Sequence, residues 1–184
     1  MMTENDILNL VRDDKWMMDT LRIAEDFHLP DWLIGAGFLR NKVWSHLHGY
    51  DRAGVDTNDI DLVYYDPKGN REEDDEKLSR ELQEKTGINW EVVNEFYAHK
   101  WNNIDPYISS EDALSRWPET ATGVGVRLEK GQLRLIAPHG ISDLVNLIIR
   151  SSPKLVNAKQ LVRERVEKKK WLTKWPKLRF VESD

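Results

Sequence analysis

The stretch Asn58-Asp59-Ile60-Asp61-Leu62-Val63-Tyr64-Tyr65 constrains this chain most. It sets two carboxylates two residues apart inside an apolar, β-prone run. Successive strand residues point to opposite faces, so Asp59 and Asp61 share one face and Ile60 and Leu62 the other. At strand rise the two Cα atoms lie roughly 6.5 Å apart. Like charges that close repel unless a cation lies between them. A divalent metal, completed by phosphate oxygens and water, meets that need. The pair points to phosphate chemistry. Its bland alternative is a strand end facing solvent, where repulsion costs little.

The surrounding chain frames this strand. Residues 3–28 read as helix, opened by a capping-box-like Thr3…Asp6, with a break near Asp13-Asp14 and a stop at His28-Leu29-Pro30. Trp32-Leu33-Ile34 is a short strand and Gly35-Ala36-Gly37 a small-residue turn. Phe38 to His48 resumes helical spacing, and residues 50–58 are a polar loop. After strand 59–65, the spacing predicts a charged helix over 71–85 and a strand over 88–94. In that strand Glu91 shares a face with Asn89 and Val93. Residues 95–118, rich in Trp, Asn and Pro, are left without an assignment. Segments 124–128 and 132–136 form a hairpin through Glu129-Lys130-Gly131. Residues 141–150 read as an apolar helix, and 157–173 as a basic terminal helix.

The 184 residues fit a single domain, expected as a catalytic core over 1–95 with a hairpin and helical substrate-side lobe with a basic tail over 96–184. Apolar residues make up 40% and include eight Trp, enough for a sizeable core. Cysteine is absent, which excludes disulfides, thiol catalysis and thiolate metal sites. No apolar run reaches membrane-spanning length and no signal peptide is evident, so the expectation is a soluble cytoplasmic protein without a membrane partner. The net charge of −5 is unevenly spread: residues 150–184 hold 11 Lys+Arg against 4 Asp+Glu. That tail is either a polyanion contact, with Trp171 and Trp175 to stack on bases, or an amphipathic helix with a solvated face.

The element order lets three features converge. The Gly35-Ala36-Gly37 turn opens a helix, and helix N-termini with free amides bind phosphate. Arg40, with Lys42 behind it, is placed to steady a polyphosphate. Asp59 and Asp61 are candidate ligands for one or two Mg²⁺ (or Mn²⁺) ions, with Glu91 as a third ligand or a base. This set suits nucleotidyl transfer, in which an acceptor hydroxyl attacks the α-phosphorus of a nucleoside triphosphate such as ATP and pyrophosphate leaves. Each residue also has an ordinary explanation: glycines that permit close strand–helix packing, a surface arginine, an exposed glutamate. The five histidines show no metal-ligand spacing.

Ile34-Gly35-Ala36-Gly37-Phe38-Leu39-Arg40-Asn41, Asn58-Asp59-Ile60-Asp61-Leu62-Val63 and Trp90-Glu91-Val92 resemble the DNA polymerase beta-like nucleotidyltransferase superfamily. The chain is more closely similar to an uncharacterised bacterial nucleotidyltransferase-like family, through most of its length. That likeness includes Trp117-Pro118-Glu119-Thr120-Ala121-Thr122 and Trp171-Leu172-Thr173-Lys174-Trp175-Pro176. The turn also looks like the Gly-Gly-x-Val-Arg-Asp signature of tRNA nucleotidyltransferases. The resemblance implies an α/β (α+β) nucleotidyltransferase fold, a small mixed sheet flanked by helices. It implies a reaction type and leaves the acceptor open among small molecule, protein and RNA. Three departures stand out: the Gly-Ser form of the turn is absent, Asn41 replaces an acid, and Ser45 stands where close relatives carry Asp. They leave room for a catalytically inactive, antitoxin-like binding module, or for an RNA-binding protein acting through its tail.

Overall fold

Local capping sets the first two helices. In the computed structural model, which describes residues 2–50, 57, 59–69, 72–102, 104–155 and 158–181, α1 spans Glu4–Arg12 and α2 spans Lys15–Glu25. Thr3 and Asp6 complete a reciprocal capping box, the Asp6 amide donating to Thr3 Oγ1 at 3.3 Å and the Thr3 amide to Asp6 Oδ2 at 2.7 Å. Asp13 closes α1, and Asp14 caps α2 by accepting from the Met17 amide at 3.1 Å. The expected break near Asp13-Asp14 is present.

Strand β1 (Leu33–Gly35) leads through Ala36 into α3 (Gly37–Leu47). Strand β2 (Ile60–Tyr64) crosses through α4 (Glu72–Thr86) to β3 (Trp90–Asn94), which pairs with it in parallel. The hairpin β4 (Gly125–Glu129) and β5 (Gln132–Ile136) turns through Lys130 and Gly131, both at positive φ as a two-residue hairpin turn requires. These strands make one mixed sheet in the order β3-β2-β1-β4-β5. The hairpin therefore extends the central sheet and does not belong to a separate substrate-side lobe.

The period-2 pattern of β2 decides which face is buried. Ile60, Leu62 and Tyr64 are fully buried and join a large core with residues of α1–α4, including Ile7, Met17, Leu39, Trp44 and Leu82. Fully burying a side chain of this size contributes about 1.5–3 kcal/mol. The opposite face carries a much smaller apolar patch around Leu33, Val63 and Leu114. That leaves the Asp59–Asp61 end of the face open for chemistry.

Beyond β3 the unassigned region contains α5 (Glu95–Asn102) and α6 (Ser110–Ser115), the latter capped by Ser109 accepting from the Asp112 amide at 3.0 Å. The helix expected over 141–150 is not formed. Only α7 (Ser142–Val145) is helical; Leu147 takes φ 58°, and Ile148–Arg150 forms β6. Asn146 ends the turn by bonding back to the Ser142 carbonyl at 2.9 Å, and the β-branched Ile148-Ile149 pair favours extended backbone. The tail is likewise two helices, α8 (Ala158–Lys168) and α9 (Trp171–Lys174), broken at left-handed Lys170. The break turns Trp171 and Trp175 onto Trp44, with ring centroids 5.6 and 5.2 Å away in edge-on contact. β7 (Arg179–Val181) then pairs in parallel with β6. Asn157, named with the terminal helix, lies outside the described residues.

Candidate active site

Three elements bring the carboxylates to one place. Asp59 immediately precedes β2 and Asp61 lies within it, while Glu91 is the direct register partner of Asp61 on β3. Neighbouring strands lie about 4.8 Å apart, so the Asp61 and Glu91 side chains rise beside each other from one face. All three line a single cavity of about 730 Å³. Burial, with the charges of Asp59 and Glu91 beside it, pushes the Asp61 carboxyl up to about 6, while Arg40 and Lys169 pull the other way. Among the described residues, no three His, Asp or Glu side chains are gathered closely enough to hold a metal ion by themselves. Asn58, between the two strand residues of the motif and the loop, lies outside the described residues.

The turn enters the cavity through Ala36 and Gly37. Ala36 sits at φ 48° as the N-cap of α3 and offers no side-chain cap, so the first amides of the helix are left unanswered by a side chain. Gly37 leaves room that a Cβ would fill: such an atom would stand 2.8 Å from Thr57 Oγ1. The Thr57 hydroxyl in turn donates to the Asp59 carbonyl at 2.9 Å. The Thr57 hydroxyl thus lies beside Gly37 and ties the loop before β2 to the turn. Gly35 acts one step back, for a Cβ there would stand 2.9 Å from the Trp117 ring, which walls the cavity.

Arg40 is buried and lines the cavity. Its Nε and Nη2 donate to Asn41 Oδ1 at 3.1 and 3.0 Å, and Nη1 donates to Thr122 Oγ1 at 2.7 Å. The guanidinium also lies over Trp171 at 4.5 Å and Trp44 at 5.1 Å. Burial draws its pKa down to about 10, against the favourable field of Glu119. A neutral Asn41 orients this fork without cancelling its charge, as an acid would. Lys42 has a different place: it is absent from the cavity wall, and its ammonium pairs with Asp14 at the start of α2.

The tail supplies further cations to the cavity wall. Arg165, Lys168, Lys169 and Lys174 line the cavity with Trp171 and Trp175. Glu119, 1% exposed, anchors Arg165, which donates from Nε at 2.6 Å. Trp175 Nε1 donates to Ser45 Oγ at 3.2 Å, which gives the unexpected Ser45 a structural use.

Three carboxylates, a helix start without a side-chain cap and the cations of the tail line one cavity. Residues 22–180 match the model of a nucleotidyltransferase family. The chain belongs to that family. A solved structure described as a CCA-adding enzyme head domain is 33% identical, with 98% of this chain and 97% of the other aligned and a TM-score of 0.86. A CCA-adding enzyme in complex with CTP shares the fold at 13% identity and a TM-score of 0.51, aligning 91% of this chain with 47% of its own length. No curated protein matches.

Thr57 and Thr122 carried no signal in the sequence of this nucleotidyltransferase, whereas the basic tail, read as either a polyanion contact or a solvated helix face, lends Arg165, Lys168, Lys169 and Lys174 to the cavity. The available signal was the opposite charge of the two ends of the chain, which brings a basic tail over an acidic sheet. Trp171 and Trp175, considered as base-stacking residues, are 2% and 1% exposed and serve as core.

Proposed function

We propose that this nucleotidyltransferase moves a nucleoside monophosphate from a nucleoside triphosphate to an acceptor hydroxyl, with Asp59, Asp61 and Glu91 as its catalytic carboxylates. The carrying observation is the cavity that all three line together with Arg165, Lys168 and Lys169 and with Ala36 and Gly37 of the turn. The triphosphate lies in that cavity. The amides at the start of α3 take its oxygens, and the basic wall screens the charge. Arg40 sets the field from beneath without leaving its bonds to Asn41 and Thr122.

The donor set suits Mg²⁺ or Mn²⁺. Asp59 and Asp61 are hard oxygen donors, and the field that raises Asp61 is relieved by a cation. Mg²⁺ commonly takes one or two carboxylates and completes its shell with substrate phosphates and water, so two protein ligands suffice. When bound, the cation supplies Lewis-acid stabilisation of charge at the reacting phosphate. The protein's part is positional. Asp59 and Asp61 would hold the cation beside the α-phosphate, and Glu91, exposed beside Asp61, accepts the proton of the attacking hydroxyl. The acceptor oxygen forms a bond to the α-phosphorus, the bond to the β-phosphate oxygen breaks, and pyrophosphate leaves along the basic wall.

Equilibrium binding of ATP, CTP, GTP and UTP with and without Mg²⁺ tests the site. Wild type binds at least one of them more tightly with Mg²⁺, and Asp59→Asn/Asp61→Asn loses the Mg²⁺-dependent part. Equal binding by the two proteins with Mg²⁺ contradicts the assignment.

A further inference from the structure

A second cavity, about 780 Å³, opens beside the first and shares Asp61, Glu91, Trp117 and Pro118 with it. That volume suits a small ligand. Its floor continues the carboxylate rows: Asp61 and Val63 on β2, then Glu91, Val93 and Glu95 running from β3 into the start of α5.

Two largely buried residues here keep their polar atoms open to the cavity. Glu95 is 5% exposed and Tyr107 6% exposed, and both line the cavity. A ligand entering the cavity can pair with both groups, the carboxyl oxygens and the phenol hydroxyl. Burial, then the nearby charges of Asp75 and Asp61, pushes the Glu95 carboxyl up to about 8. Asp75 itself is engaged, accepting from Tyr64 Oη and the Asn94 amide at 2.7 Å each.

The charges select the ligand. Asp61, Glu91 and Glu95 face the cavity. Glu95 keeps its proton in the free protein at neutral pH and gives it up when an ammonium beside it favours the carboxylate. The single arginine in the wall, Arg116, lies over the Tyr107 ring at 5.1 Å and donates to Asp112 Oδ2 at 2.8 Å and to the Asp105 carbonyl at 2.9 Å. Such a site repels a phosphate-bearing chain and welcomes a cation. Trp101 and Trp117 add aromatic faces, against which a cationic nitrogen is also favoured.

We propose that this cavity is the acceptor subsite, and that its acceptor is a small molecule carrying a hydroxyl and a protonated amine, the amine held by Glu95 and Tyr107. The assignment rests on the transfer reaction above: the hydroxyl points to the shared Asp61–Glu91 edge, its oxygen bonds to the α-phosphorus, its proton passes to Glu91, and pyrophosphate departs.

The test is binding without nucleotide. Amino sugars and amino alcohols are each paired with their neutral deamino counterparts, beside a short single-stranded RNA with a free 3′-hydroxyl, and read by protein NMR. Amine members bind about tenfold more tightly than their neutral partners. Glu95→Gln abolishes that preference, and Tyr107→Phe reduces it, while both variants unfold cooperatively. Equal binding of amines and neutral partners overturns the proposal, as does RNA that alone shifts the cavity signals. An amine preference in a protein that binds no nucleoside triphosphate would instead remove the transfer reaction and leave the amine site standing.

Discussion

Arg165 reaches back from α8 to Glu119 at 2.6 Å, and this one bond fastens the basic tail over the carboxylate face of the sheet. Glu119 also supplies the favourable field for buried Arg40. Removing Glu119 therefore strands the Arg165 guanidinium and takes a favourable charge from the field at Arg40. Glu119→Ala is expected to lower stability by about 2–4 kcal/mol, at the lower part of the range for a broken buried pair because Arg165 is partly exposed. Urea denaturation measures it, and limited proteolysis cuts the variant first after residue 158. Adding Arg165→Ala recovers part of the loss. An unchanged midpoint contradicts the link.

Gly35 is required by the Trp117 ring. In Gly35→Ala the new Cβ meets the ring at 2.9 Å in a buried wall, and overpacking of this kind costs about 1–3 kcal/mol. The double variant Gly35→Ala/Trp117→Leu is expected to be more stable than Gly35→Ala with Trp117→Leu's own loss counted. Strict additivity in a double-mutant cycle goes against this contact.

Arg40 holds its place by shape as much as charge. Lysine keeps the charge but loses the fork to Asn41, the bond to Thr122 and the stacking on Trp171. Arg40→Lys is expected to cost about 1–3 kcal/mol and to weaken triphosphate binding. Thermal unfolding and nucleotide titration measure the two effects, and a variant equal to wild type in both contradicts the role.

Glu95 gives the free protein a pH signature. Its folded pKa is raised from 4.5 to about 8, so the folded state holds the proton more tightly than the unfolded chain. The stability this contributes is complete below 4.5 and is lost as pH rises towards 8. Glu95→Gln removes that dependence. The Tm of wild type is expected to fall relative to Glu95→Gln across this window, and parallel curves rule it out.

Much of this was legible in the chain. Asp59, Asp61 and Glu91 could be placed on one face because strand alternation is strict, and the Thr3 and Asp14 helix boundaries because capping is local chemistry. The Trp171 and Trp175 contacts were not legible: nothing within five residues of Lys170 announces a left-handed break, which is stabilised by packing against Trp44, more than 120 positions away. Lys42 misled for the same reason. It lies two residues past Arg40, and helical geometry turns it towards Asp14. The 141–150 segment depended on pairing with β7, a partner found only after folding.

The most direct measurement is label transfer. The protein is incubated with Mg²⁺, a small-molecule extract and a nucleoside triphosphate labelled at either the α- or the γ-phosphate. The account predicts a new product labelled from the α position only, with pyrophosphate released in equal amount and product formation lowered roughly 100-fold or more in Asp61→Asn. A product labelled from the γ position, or one formed equally well by Asp61→Asn, would contradict it.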